Sequence, residues 1–160
     1  MQIIESLILE QDGGSLDTLL ELLPVESVIG HELPIKRLEV NPDLIVMFYI
    51  IRPNREIKSE IIDRVFPHLK SVLVLSGGDE FSEANLPMGC LDRFKSLNKN
   101  CLVITAAKVN NAHFNSLPII LKHNGFYLDS RSRLIPWCEE NKESHQNVWQ
   151  SLWGILDEPN

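Results

Sequence analysis

The pattern of hydrophobic residues predicts short buried strands that alternate with amphipathic helices. The longest apolar run extends from Leu44 to Ile51 and contains no charged residue and no glycine. Such a run is typical of a strand that is covered on both faces, as in the centre of a parallel sheet. We therefore interpret residues 44–51 as a central strand around which the rest of the chain is arranged.

Shorter apolar runs and helical stripes predict the remaining elements. Strands are expected at residues 3–10, 25–29, 71–75 and 101–107, and the segment 33–40 is ambiguous between a strand and a short helix. Helices are expected at residues 16–23, 54–66, 87–97 and 146–156, with Ser15 and Asn54 as N-caps of the first two. Alternation of this kind indicates a parallel sheet between two helical layers, joined by right-handed crossovers.

The last third of the chain breaks the alternation. Apolar segments at 117–121 and 126–128 are followed by turn residues at 129–132 and a further apolar pair at 134–135. This pattern favours a β-hairpin. The predicted fold is therefore a three-layer α/β/α domain with a mainly parallel five-stranded sheet, receiver- or flavodoxin-like, plus a C-terminal hairpin and helix. We place the core at residues 1–116 and expect 117–160 to pack on it or extend it.

Composition narrows the class of protein. The chain has 160 residues and a net charge of −7, which argues against a nucleic-acid surface that covers the whole chain. No apolar run reaches the roughly 18 residues of a membrane span, and the N-terminus lacks the basic region of a signal peptide. The three cysteines, Cys90, Cys101 and Cys138, are widely spaced. We expect them to be free thiols, and the protein to be cytoplasmic.

Four segments in order resemble the receiver domain of bacterial response regulators. The first strand ends in the acidic segment 10–12, and the run 44–51 is followed by Arg52 and Pro53. The strand of residues 72–76 ends in the hydroxyl of Ser76, and the strand of residues 101–108 ends in Lys108. The resemblance covers roughly residues 3–110. It implies a signalling domain whose third strand ends in an aspartate that accepts a phosphoryl group.

This sequence departs from the receiver pattern where the phosphoryl chemistry takes place. Phe48 or Tyr49 stands at the phosphoacceptor position, and neither side chain can form an acyl phosphate. The acidic pair is reduced to Gln11 and Asp12, which is a poor Mg²⁺ site because hard cations need several converging oxygens. Val109 also follows Lys108 where the family has proline.

The resemblance therefore implies a degenerate receiver that is switched by a ligand or a partner instead of by phosphate. The leading hypothesis is a non-enzymatic regulatory or interaction module without a cofactor. It would act through a homodimer or a protein partner, and an output domain would follow residue 160.

The alternative is a small nucleotide- or flavin-binding α/β enzyme. Its site would lie at the C-terminal ends of the strands. The residues expected to bind the ligand are Asp12, Gly13, Ser76, Gly77 and Lys108. The glycines allow close approach of a phosphate, but residues 76–80 lack the Lys-Ser/Thr of a P-loop and include two acids that repel anions. A plain surface loop is the favoured interpretation of that segment.

Other candidate residues favour structural roles. The five histidines show no spacing suited to a zinc site, so no metal is predicted. Cys90 is interpreted as a buried thiol in preference to a nucleophile, and Asp12 with His31 as polar loop residues in preference to an acid–base pair.

Two features near the C-terminus remain as possible binding surfaces. Trp149 and Trp153 lie four residues apart and share a helix face, which either packs against the sheet or forms a dimer interface. Arg131 and Arg133 lie near aromatic residues, a combination found in nucleic-acid binders. The acidic total argues against nucleic acid as a partner of this domain.

Overall fold

Seven strands form a single sheet in the computed structural model. The structure describes residues 1–11, 15–52, 58–76, 101–108, 114–123 and 126–154. The strands are β1 (Gln2–Glu10), β2 (Glu26–Val28), β3 (Ile35–Asn41), β4 (Leu44–Ile51), β5 (Ser71–Ser76), β6 (Leu102–Lys108) and β7 (Arg133–Trp137). Their order across the sheet is β2-β3-β4-β1-β5-β6-β7.

The sheet is mostly parallel, and β1 lies at its centre. Strands β4, β1, β5, β6 and β7 are parallel neighbours, whereas β3 pairs antiparallel with both β2 and β4. The predicted bounds of β4 are confirmed, but β1 takes the middle position. Leu7, Ile8 and Leu9 of β1 have no exposed surface. In β4, by contrast, Met47 and Tyr49 are only partly buried.

Helices cover both faces of the sheet, which confirms the predicted three-layer α/β architecture. They are α1 (Leu16–Leu20), α2 (Ser59–Val65), α3 (Leu117–His123) and α4 (Lys142–Trp153). On one face, Leu19 of α1 and Trp149 of α4 pack with Phe48 in one hydrophobic cluster. On the other face, Ile62 of α2 and Leu121 of α3 belong to a second cluster.

The prediction of a C-terminal hairpin is wrong. Residues 117–123 form helix α3, and β7 joins the sheet as a parallel strand beside β6, with Arg133 opposite Ile104. The helix forms because Leu117 and Leu121, one turn apart, are both completely buried on the same side. The sheet also has seven strands instead of five, because β7 joins it and the ambiguous segment 33–40 is strand β3.

The cap and end of α1 and the start of α4 differ from the predictions. Ser15 makes no side-chain capping bond to α1, which ends at Leu20. Helix α4 begins at Lys142, earlier than expected, because the Asn141 side chain accepts a hydrogen bond from the backbone N–H of Ser144. The predicted cap Asn54 and the predicted helix at 87–97 lie outside the described residues.

The cysteines and the lengths of the helices bear on two expectations from the sequence. Cys101 and Cys138 are free thiols, as predicted, while Cys90 lies outside the described part. None of the helices in the described ranges is long and apolar enough to cross a membrane.

Candidate functional site

The C-terminal ends of the parallel strands bring polar residues together at one edge of the sheet. In open α/β sheets this edge is where ligands bind. Here β1 ends at Glu10, β6 at Lys108 and β7 at Trp137. We use the name strand-end cluster for the ionisable and hydroxyl side chains that contact one another there. Its members are Glu10, Ser15, Asp17, Arg52, Lys108 and Glu139.

Glu10 is bound by two donors of the same chain. Its Oε1 accepts a hydrogen bond from Arg52 Nη1 at 3.0 Å, and its Oε2 accepts one from the backbone N of Leu16 at 2.6 Å. Only 8% of Glu10 is exposed, so its charge depends on these partners. The first N–H of α1, which would otherwise be open to an anion, is therefore already occupied.

Arg52 links Glu10 to a second carboxylate. Its Nη2 donates a hydrogen bond to Asp17 Oδ1 at 2.9 Å. Burial opposes the charge of Arg52, but the bonds to Asp17 and Glu10 outweigh this effect and raise the pKa of the guanidinium. The cation is thus matched by two anions of the protein itself.

Glu139 occupies the other half of the strand-end cluster. Its Oε1 accepts a hydrogen bond from Ser15 Oγ at 2.6 Å and forms an ion pair with Lys108 Nζ. The bonds from Lys108 and then from Ser15 hold the pKa of Glu139 below its usual value. Lys108 Nζ also lies 5.7 Å from the centroid of the Trp137 ring, within range of a cation–π contact.

The backbone of Ser15 explains why it binds Glu139 instead of capping α1. Its φ of 57° and ψ of 45° are left-handed, whereas an N-cap residue has extended angles. It is the one non-glycine residue with positive φ in the described ranges. Its hydroxyl consequently caps no backbone N–H and is directed to the carboxylate that follows β7.

The structure brings only part of the predicted ligand site to this edge. Lys108 is there, but it is bound to Glu139. Ser76, the last residue of β5, is completely buried and offers no surface to a ligand from solvent. The predicted ligand residues Asp12, Gly13 and Gly77 lie outside the described residues.

The two candidates for the phosphoacceptor position point to opposite faces of the sheet. Phe48 is 1% exposed, and its ring centroid lies 5.8 Å from that of Trp149 in the core. The hydroxyl of Tyr49 donates to Glu5 Oε1 at 2.6 Å. Because Glu5 is paired with Met47, the tyrosine reaches back along the strand, away from the strand-end cluster.

The tryptophan pair of the last helix is mainly part of the core. Trp149 is 2% exposed, and its Nε1 donates to the backbone O of Leu19 at 3.0 Å. Of the two alternatives for this helix face, packing in the core describes Trp149, because its side chain is buried against α1 and is not available to a partner. Trp153 is partly exposed and stacks on Trp149 with a centroid separation of 6.4 Å.

The arginines near β7 bind groups of residues that are close to them in sequence. Arg131 binds Asp129 through Nη2 at 2.9 Å, and this bond contributes most to lowering the pKa of Asp129. Arg133 donates to the backbone O of Ser130 at 2.8 Å. Within the described ranges, no group of three or more histidine, cysteine, aspartate or glutamate side chains is arranged to hold a metal ion.

Asp17, Arg52 and Glu139 were not predicted as site residues. Arg52 and Glu139 carry a weak signal, since each follows directly or closely after an apolar strand that ends at this edge. Glu139 could not be placed beside Ser15 from sequence, because the two residues meet only once β7 has paired with β6.

Comparison with known proteins provides a fold likeness and one short sequence match. No protein-family model matches the chain. A stretch of 66 residues is 33% identical to the ribosomal RNA large subunit methyltransferase G of Colwellia psychrerythraea, covering 38% of this chain and 17% of the enzyme. The chain therefore spans less than a fifth of that relative.

A solved structure matches nearly the whole chain. The ADP-ribosylation factor-like small COPII coat GTPase SAR1 from Encephalitozoon cuniculi, solved in complex with GDP, aligns with a TM-score of 0.53. The alignment covers 96% of this chain and 79% of the GTPase chain at 10% sequence identity. At that identity the likeness shows the α/β fold alone.

Proposed function

We propose that the protein is a non-enzymatic regulatory or interaction module, similar to a receiver domain that has lost its phosphorylation site. One observation carries the proposal: the cations of the strand-end cluster are bound to carboxylates of the same chain. Arg52 is held by Glu10 and Asp17, and Lys108 is held by Glu139. The edge where an α/β protein would hold an anionic ligand is thus internally neutralised.

The energetics of displacement support this proposal. A phosphate group that entered the cluster would have to replace Glu139 on both Ser15 and Lys108. Hydrogen bonds to a charged group are stronger than those between neutral groups, and the displaced carboxylate would repel the incoming anion. Binding of a phosphate at this edge would therefore first require the loss of existing bonds within the cluster.

The residues at the phosphoacceptor position of the receiver pattern also support a module that is not phosphorylated. Phe48 is a core aromatic residue, and the hydroxyl of Tyr49 is bound to Glu5. Neither side chain supplies a carboxylate to the strand-end cluster. The partly exposed Trp153 on α4 remains a candidate contact residue for a homodimer or a protein partner.

Nucleotide binding is the second candidate, since the fold resembles that of a GTPase solved with GDP. A P-loop needs a lysine followed by serine or threonine after the first strand, where backbone N–H groups and the lysine hold the phosphates. The segment after β1 is Gln-Asp-Gly-Gly-Ser at residues 11–15 and contains no lysine. Methyl transfer gains no support, because the matched stretch is only 17% of that enzyme.

The proposal is tested with a phosphoryl donor and, separately, with nucleotides and a flavin. The wild-type chain is incubated with Mg²⁺ and acetyl phosphate and analysed by intact mass, and its melting temperature is measured with GDP, GTP, ATP and FMN. We expect no stable phosphoryl addition and no saturable thermal shift. A phosphorylated carboxylate, or a saturable shift that Lys108→Ala removes, would contradict the proposal.

A further inference from the structure

A cavity of about 370 Å³ lies on the face of the sheet that α2 covers, apart from the strand-end cluster. Its apolar walls come from β3 and β4, from the segment before β3, and from α2. They include Leu33, Ile35, Met47, Ile61 and Val65. Small-molecule sites are typically mostly apolar cavities of about 300–1,000 Å³ with a few polar groups. This cavity is therefore of a size that suits a small ligand.

The carboxylates that line the cavity are already engaged by donors of the chain. Glu5 accepts a hydrogen bond from the Tyr49 hydroxyl at 2.6 Å, and Glu32 forms an ion pair with Lys58 at 3.2 Å. Burial, and then the bond to Glu5, raises the pKa of Tyr49 to about 12, so the phenol stays protonated at neutral pH. Both carboxylates that line the cavity are therefore already bound by donors of the same chain.

The donors that line the same cavity are not used in this way. Arg64, His31 and His68 all contribute to the lining and are exposed to solvent, and their side chains form no hydrogen bond or ion pair with the described residues. Arg64 lies on α2 between Ile61 and Val65, which also line the cavity. An arginine guanidinium with free donors is well suited to a carboxylate, which it binds with two parallel bonds.

We propose that this cavity binds a small organic carboxylate with an apolar body. The carboxylate would pair with Arg64, and the body would lie on Leu33, Ile35 and Met47. We expect a negatively charged ligand because the acidic side chains of the cavity are paired, whereas its basic side chains are not. This inference goes beyond the proposed function, and it does not depend on whether the strand-end cluster is closed.

Occupancy of the cavity would connect parts of the chain that are distant in sequence. The ligand would touch the segment at 31–33, the strands β3 and β4, and helix α2. It would therefore stabilise the packing of a short helix of seven residues against the antiparallel side of the sheet. Such a ligand would give an interaction module a means of responding to a metabolite.

The experiment uses 3-phenylpropionate as the probe and its neutral amide as the matched compound. Methyl groups of Leu33, Ile35 and Met47 are followed by NMR during the titration of the full chain. For a ligand of 11 heavy atoms, we expect a Kd on the order of millimolar. We expect saturable shifts of these methyl groups with the acid, and binding of the amide that is about tenfold weaker.

Two arginine variants distinguish a carboxylate site from unspecific binding. Arg64→Gln is expected to weaken the acid about tenfold and to leave the amide unchanged. Arg37→Gln serves as the control, because Arg37 lies on β3, pairs with Glu39 and does not line the cavity. Absence of saturable shifts at the cavity methyls, equal binding of acid and amide, or equal effects of the two variants would each overturn the proposal.

Discussion

Removing the charge of Glu10 should destabilise the fold more than removing the charge of a comparable surface glutamate. Glu10→Gln keeps the size of the side chain but leaves one oxygen for the two donors, Arg52 and the N–H of Leu16. A hydrogen bond to a charged group contributes about 1.5–3 kcal/mol. Because the Arg52 side chain is 29% exposed and water compensates in part, we expect a loss of about 1.5 kcal/mol in the free energy of unfolding.

The matched control is Glu39→Gln, whose carboxylate accepts from Arg37 at the same distance of 3.0 Å. The Glu39 side chain is 53% exposed, so its loss should cost less than about 0.5 kcal/mol. Urea unfolding, followed by tryptophan fluorescence, measures both variants at unchanged m-value. If Glu10→Gln costs no more than Glu39→Gln, the bonds of Glu10 to Arg52 and to the N–H of Leu16 do not stabilise the fold in the way described.

Three further predictions concern Glu139, Tyr49 and Trp149. The Glu139 carboxyl should titrate below its usual pKa and move back toward it in Lys108→Met, as measured by NMR; since the native pKa is lowered, charged Glu139 stabilises the fold above its usual pKa, and this is lost as pH falls through the native value. An absorbance titration should show a phenol with a pKa of about 12 that is missing in Tyr49→Phe; because this pKa is raised, the contribution of the neutral phenol is complete below pH 10 and is lost as pH rises through 12. Trp149→Ala should cost about 3–5 kcal/mol in urea unfolding and Trp153→Ala much less, and equal losses would refute the core position of Trp149.

Four of the five parallel strands were predictable from the sequence because their burial is local information, whereas β7 was expected in a hairpin. A long apolar run without charged residues predicts a buried strand, and β4 (Leu44–Ile51) is such a run over its whole length. Shorter apolar runs predict β5 and β6, whereas β1 was predicted from its isoleucines and leucines. It fails for α3, where Ile119 and Ile120 suggest a strand, while the buried spacing of Leu117 and Leu121 determines a helix.

The candidate site was only partly predictable because its decisive contacts are not local. Lys108 could be found, since a charged residue directly after a buried strand must lie at the end of the sheet. Its partner Glu139 could not, because the pairing of β7 with β6 brings the two together across 31 residues of sequence. Tyr49 was placed on the correct strand, but its hydroxyl is directed to Glu5 by the register between β4 and β1.

Carboxylates of the chain pair with both cations of the strand-end cluster, and we propose that nucleotides therefore do not bind there. Isothermal titration of the wild-type chain with GDP in the presence of Mg²⁺ tests it most directly. We expect no saturable heat up to millimolar nucleotide. Stoichiometric binding with a Kd in the micromolar range, lost in Lys108→Ala, would contradict it.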